Sequence, residues 1–251
     1  MQKPNSSFHN PQIPPFWRGH LFLFDPPKAK TYASQQGLKL LLVFLLVEII
    51  IRPLILFFSQ RLQITDCNWW LPVYVIVLTG LAYLLVRIFV KMRGSQLGLY
   101  AWKYWTKTEK LYFLQVIPIA IIIFSFFSLD QLKVLFTRPN LIEIFLFNLI
   151  PQIIWGFYQE FLYRGILQTE LVRRWGSWRG IVVSNSIFTF GPLHDYHFLI
   201  AQKSPSHLWI FAAIFTIGLF FAILFRRSGN LWIIGIMHGI GNLFLDGLSN
   251  I

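Results

Sequence analysis

Charged residues are scarce in this chain. Only 13% of its 251 residues are Asp, Glu, Lys or Arg, whereas a soluble domain carries about 25%. Apolar residues make up 55% of the chain. Several apolar runs reach about 18–22 residues, the length that crosses a bilayer as a helix. These runs exclude an ordinary soluble domain and predict an all-α, polytopic membrane helix bundle.

Cysteine is nearly absent as well. Cys67 is the single cysteine, which excludes an internal disulfide and a thiolate metal cluster. The first 36 residues are polar and proline-rich, and they hold no short apolar core followed by a small-residue cleavage site. We therefore expect no signal peptide and interpret residues 1–36 as a cytoplasmic tail.

Acidic residues are outnumbered by basic ones. The chain has 10 Asp and Glu and 22 Lys and Arg, which gives a net charge of +12. Such a balance can indicate nucleic-acid binding. Here, however, the basic residues lie between apolar runs rather than along one face. A cytoplasmic excess of Lys and Arg on a membrane protein explains the charge better. We expect the lipid bilayer, and not nucleic acid, as a partner.

The apolar runs predict about seven transmembrane spans. We interpret them as helices, because backbone groups in lipid must be satisfied internally and the apolar residues do not alternate with period two, as in a barrel. Basic loops follow the second, fourth and sixth spans, which predicts a cytoplasmic N-terminus. The composition suits a bacterial plasma membrane. The predicted spans are residues 38–59, 70–91, 111–129, 141–170, 180–200, 208–225 and 230–248.

Polar residues inside spans are costly and are functional candidates. In the first span Glu48 and Arg52 lie four residues apart, so they share a helix face, and an ion pair that fixes helix packing explains them. The fourth, fifth and seventh spans carry a richer set. It includes Gln159, Glu160 and Arg164, then His194, then His238 and Asn242.

Four-residue spacing places two side chains on one helix face. It relates Glu160 to Arg164, Phe190 to His194, and His238 to Asn242. Gln159 lies about 100° around the helix from Glu160. We therefore expect Glu160 to pair with Arg164, and Gln159 to face the centre of the bundle.

Three motifs in this order resemble the CPBP family of intramembrane endopeptidases, also called the Abi or type II CAAX protease family. The family's Glu-Glu-x-x-x-Arg motif is matched by residues 159–164, which read QEFLYR. Its Phe-x-x-x-His motif is matched by FGPLH at 190–194, and its His-x-x-x-Asn motif by HGIGN at 238–242. The resemblance covers residues 140–248, so 140–251 becomes the catalytic core and 37–139 a set of N-terminal transmembrane helices.

The resemblance implies roles for these residues. The first acid of the pair activates water together with His194, and His238 and Asn242 hold the oxyanion. Glu160 and Arg164 brace the site, and Phe190 supports it. The implied substrate is a membrane-embedded or lipidated peptide, cleaved by activated water without a cofactor or metal.

This chain departs from the family at one decisive place, because position 159 is Gln where the family has the catalytic Glu. An amide can donate and accept hydrogen bonds but cannot act as a general base near neutral pH. His194 could take the proton directly while Gln159 orients the water, or Glu160 could leave Arg164 and serve as the base. Alternatively the chain binds membrane peptides without cleaving them.

Two further alternatives stay open. His194, His238 and a carboxylate could form a metal site, which would make the protein a metal-dependent intramembrane protease, although the chain lacks His-Glu-x-x-His. His194, His197 and His207 could also bind a metal near the outer surface. Polar spans interrupted by Pro and Gly also occur in transporters and channels, but no inverted repeat is visible.

Overall fold

The structure, a computed structural model, describes residues 34–105 and 107–248. This part of the chain is almost entirely helical and contains no β-strand. The all-α fold is therefore confirmed. The helices of the described ranges are α1 Gln35–Arg61, α2 Trp70–Val90, α3 Lys107–Phe127, α4 Leu129–Thr137, α5 Leu141–Trp175, α6 Ser177–Phe190, α7 Asp195–Lys203, α8 Trp209–Ser228 and α9 Leu231–Gly247.

Five of these helices, α1, α2, α3, α5 and α8, are long and apolar enough to cross a membrane. They expose large apolar side chains such as Ile88, Phe127 and Ile142. A water-soluble monomer rarely exposes contiguous apolar surface on this scale, whereas a bilayer covers it. The protein is an integral membrane protein. The predicted count of seven spans is not confirmed, because α6, α7 and α9 are shorter.

The predicted span over 180–200 is interrupted. Helix α6 ends at Phe190, and Gly191 has an extended backbone with φ −87° and ψ −172°. The residue before a proline is disfavoured in helical conformation, so Pro192 explains the end of the helix. A short 3₁₀ turn, Pro192–His194, then leads into α7.

One hydrophobic core joins both halves of the chain. It contains residues of α1 and α2, such as Val43 and Leu78, together with Tyr163 and Ile166 of α5 and Ile234 of α9. The N-terminal helices therefore pack directly on the helices that carry the three motifs. Residues 1–33 of the predicted tail lie outside the described residues.

Helix α5 is the element that positions the site. It packs along α9 and also contacts α1, α2, α6 and α8. Its backbone widens into π-helical turns over Phe161–Gln168, immediately after Glu160. Such widened turns are frequent at functional sites. All eight residues of this segment are buried, so every side of the helix meets protein.

Candidate active site

Helices α5 and α9 approach closely because glycines face each other at their crossing. A Cβ atom on Gly156 would lie 2.6 Å from Cα of Gly239, and a Cβ atom on Gly239 would lie 2.6 Å from Cα of Ile153. Neither position has room for a side chain. Small residues that let helix backbones meet are a common feature of helix packing in membranes. The crossing brings the third motif directly against the first.

Two side-chain hydrogen bonds link the motifs across this crossing. Nδ1 of His238 lies 2.7 Å from Oε1 of Glu160, and Nδ2 of Asn242 donates to Oε1 of Gln159 over 3.3 Å. A carboxylate oxygen only accepts, so His238 donates from Nδ1. Gln159 is 5% exposed and Glu160 is fully buried. The sequence prediction that Gln159 faces the interior is confirmed.

Arg164 braces the site. Its Nε lies 3.3 Å from Oε2 of Glu160, so the predicted ion pair is present. Its Nη2 donates to Oδ1 of Asn185 on α6 over 3.1 Å and to the carbonyl of Gly218 on α8 over 2.9 Å. The guanidinium also lies over the ring of Phe188. This single buried side chain therefore ties α5 to α6 and α8.

The 3₁₀ turn carries His194 to the site. Nδ1 of His194 lies 2.8 Å from the carbonyl oxygen of Phe188. A carbonyl only accepts, so Nδ1 carries the hydrogen. In the neutral ring Nε2 then keeps its lone pair and can accept a proton. His194 is 9% exposed.

Phe188 brings the two imidazoles together. The rings of His194 and His238 both pack edge-to-face on it, with centroid distances of 4.9 and 5.9 Å. Both histidines therefore lie on one phenyl ring, inside the protein. Sequence reasoning missed Phe188, and the only signal for it was its place two residues before the motif.

Phe190 does not have the predicted place beside His194. The expectation that these residues share a helix face is wrong, because α6 ends at Phe190 and Gly191 breaks the helical spacing. The Phe190 ring is about half exposed and packs against Phe211 and Phe215 of α8. It supports the α6–α8 contact instead.

Asp246 is a further carboxylate near the site that sequence reasoning missed. It lies one turn beyond Asn242 and two beyond His238, so the three side chains leave α9 on similar sides. The Asp246 carboxylate lies within electrostatic range of His238 and of Tyr196 of α7. The i, i+4, i+8 spacing was the signal that could have found it.

The histidines near the chain's second motif do not assemble a metal site. Nδ1 of His197 lies 3.0 Å from Nε2 of His207, within hydrogen-bond distance. The pKa of His197 is lowered, first by burial and second by the neighbouring His207. Within residues 34–105 and 107–248, no group of three or more His, Cys, Asp or Glu is arranged to hold a metal ion. The set of His194, His238 and a carboxylate is therefore not formed.

Residues 141–244 match the model of a family described as type II CAAX prenyl endopeptidase, Rce1-like. The resemblance to the type II CAAX proteases is confirmed. From here we call these residues the CAAX-protease segment; they include all three motifs and exclude α1–α4. The family is one of proteases, which supports an intramembrane CAAX protease-type function. Comparisons with curated proteins and with solved structures give no match.

Proposed function

We propose that this protein is an intramembrane endopeptidase that hydrolyses membrane-embedded or lipidated peptides, with His194 as the general base. The observation that carries this proposal is the hydrogen bond from Nδ1 of His194 to the Phe188 carbonyl. It leaves Nε2 as the proton acceptor on a buried imidazole beside His238. The family match supports the reaction class. The tautomer of His194 supports this residue as the base, in place of the carboxylate that position 159 lacks.

The reaction follows from the donors and acceptors of the site. Nε2 of His194 takes a proton from water, and the water oxygen adds to the peptide carbonyl carbon. Gln159 accepts from Asn242 through Oε1, so its amide nitrogen is left to donate to the water and orient it. His194 then passes the proton to the departing nitrogen as the C–N bond breaks. General-base catalysis of this kind contributes about 10²–10⁴-fold.

The developing negative charge needs hydrogen-bond donors. Asn242 uses one amide hydrogen on Gln159 and keeps a second. His238 already donates from Nδ1 to Glu160, so a second donor at Nε2 requires the imidazolium, for which Glu160 is the counter-ion. Arg164 holds Glu160 in place for this role. The two oxyanion donors therefore come from one face of α9.

A cleavage assay tests the proposal. The purified protein is reconstituted in phospholipid vesicles and given a quenched fluorescent peptide with a farnesylated C-terminal cysteine, and the same peptide without the lipid. We expect His194→Ala to lose cleavage with unchanged thermal unfolding, and His207→Ala, a histidine outside the site, to keep it. Gln159→Glu should preserve or raise cleavage, because a carboxylate can share the proton transfer.

The alternative is a relative that binds membrane peptides without hydrolysis, and the amide at position 159 favours it. The proposal that the protein is an enzyme is refuted if neither the parent nor Gln159→Glu cleaves these peptides or a membrane peptide extract. Saturable binding of the farnesylated peptide then supports the binding protein. Activity that survives thorough chelation counts against a metal-dependent protease.

The substrate class and location follow from the same reasoning. A site carried by α5 and α9 is surrounded by helices that a bilayer covers, so a substrate held at the membrane by its own lipid or apolar segment reaches it best. The distribution of Lys and Arg supports a cytoplasmic N-terminus, and the composition suits a bacterial plasma membrane. A reporter fused to residue 1 tests this orientation.

A further inference from the structure

A buried ion pair in α1 lies beside the turn that carries His194. Nε of Arg52 is 2.9 Å from Oε1 of Glu48, and the two side chains are 9% and 0% exposed. The sequence predicted this pair as a packing device. The structure adds a third partner, because Nη2 of Arg52 donates to the carbonyl of Pro192 over 2.8 Å. Pro192 begins the 3₁₀ turn that ends at His194.

The pair is linked to the other side of the site as well. The hydroxyl of Tyr158 donates to Oε2 of Glu48 over 3.2 Å. Tyr158 immediately precedes Gln159 and Glu160 on α5. Glu48 therefore contacts a side chain next to the first motif, and Arg52 contacts the backbone of the second motif.

Stability alone does not account for such a pair. Two buried charges lose their hydration, and well-packed apolar side chains often replace them without loss of stability. Arginine, however, presents donors in a rigid planar fork. The Arg52 guanidinium contacts Glu48 through Nε and donates to the Pro192 carbonyl through Nη2. It therefore fixes a backbone position that an apolar side chain could not hold.

The turn needs such a partner. The helical ladder ends at Phe190, and within the turn the amide of His194 donates to the carbonyl of Gly191 over 3.1 Å. The adjacent part of α1, Leu46–Ile51, packs against the turn. A displacement of about 1 Å of a catalytic group can cost about 10²-fold in rate.

We propose that Arg52 is a positioning residue, which holds the His194 turn against α5 through the Pro192 carbonyl. This inference rests on the proposed function, since His194 is the base there. It assigns a role in the reaction to α1, which lies outside the CAAX-protease segment.

The test compares four variants with the parent in vesicles. Arg52→Gln removes the donor that reaches Pro192, because the Gln amide nitrogen ends two bonds short of Nη2, and it leaves Glu48 uncompensated. The double variant Glu48→Gln with Arg52→Gln removes both charges. Arg52→Lys keeps the charge on a single nitrogen. Arg61→Gln is the matched control, because Arg61 is an exposed arginine at the end of the same helix. The readouts are kcat, KM, thermal unfolding, and hydrogen exchange of the amides of residues 193–195.

We expect the double variant to unfold near the parental temperature, with kcat lowered about 10²-fold and KM little changed. Its amides at 193–195 should exchange at least about tenfold faster, since the turn loses its anchor, while exchange in α9 stays as in the parent. Arg52→Lys should recover part of kcat. Arg61→Gln should match the parent in every readout.

Parental kcat or parental exchange at 193–195 in the double variant overturns the inference. It is also overturned if every Arg52 variant fails to fold, because the residue would then be structural. Faster local exchange in a protein whose parent cleaves nothing has a different meaning. It leaves the link from Arg52 to the turn intact and refutes the proposed function instead.

Discussion

Replacing Gly156 by alanine tests whether the close crossing of α5 and α9 builds the site. The added Cβ would lie 2.6 Å from Cα of Gly239, where ordinary contacts are 3.4–4 Å. The opposing atoms belong to the backbone and cannot rotate away. The two helices must therefore separate by about 1 Å to accept the methyl group.

That separation acts directly on the site, because His238 immediately precedes Gly239. The hydrogen bond from His238 to Glu160 is 2.7 Å long, and lengthening it by about 1 Å takes it beyond the range of about 2.7–3.2 Å for such bonds. Losing a hydrogen bond to a charged group costs about 1.5–3 kcal/mol. A catalytic group displaced by about 1 Å costs about 10²-fold in rate. We expect Gly156→Ala to lower kcat about 10²-fold.

The matched control is Gly80→Ala on α2, where an added Cβ meets no atom within 4 Å. Both variants replace a helical glycine by alanine, so their effects on helix propensity are alike. Cleavage of the farnesylated peptide and thermal unfolding are measured for each. Gly80→Ala should match the parent. Parental kcat in Gly156→Ala would show that the glycine crossing does not set the position of His238.

Two substitutions at and beside Arg164 separate the contributions of its contacts to stability. Arg164→Gln should destabilise the protein by about 3–5 kcal/mol, because the buried Glu160 carboxylate loses the arginine that pairs with it. Thermal unfolding in detergent measures the loss, and a parental unfolding temperature would contradict it. Asn185→Ala removes one acceptor of Arg164 and the donor to the Phe215 carbonyl. It should cost about 1–3 kcal/mol, less than Arg164→Gln in the same assay, and an equal or larger loss would contradict the order.

Helical spacing predicted the parts of the site that lie on unbroken helices. Glu160 and Arg164 pair as expected, and His238 and Asn242 point together at α5, because each pair has four-residue spacing within one continuous helix. The same spacing failed for the second motif. Pro192 interrupts the helix there, so the face shared by its first and last residues does not exist.

Tertiary contacts supplied the rest of the site, and no spacing rule gives them. The aromatic ring between the two imidazoles is Phe188 rather than the motif's own phenylalanine. Arg52 and Pro192 lie 140 residues apart in sequence, so only the packing of α1 on the broken helix brings them together. The number of membrane spans could not be predicted from the sequence for a similar reason. The length and hydropathy of an apolar run do not reveal where a short helix ends.

Within the part of the chain that the structure describes, two glutamate–arginine pairs with the same spacing are buried on both sides. The third group that each pair contacts separates their roles. In α5 the acid of the pair accepts from His238, so that pair acts on the charge of the site. In α1 the base of the pair donates to Pro192, so that pair acts on the position of His194. Loss of the α5 pair should therefore appear first as unfolding. Loss of the whole α1 pair should leave the fold intact and appear as a slower chemical step.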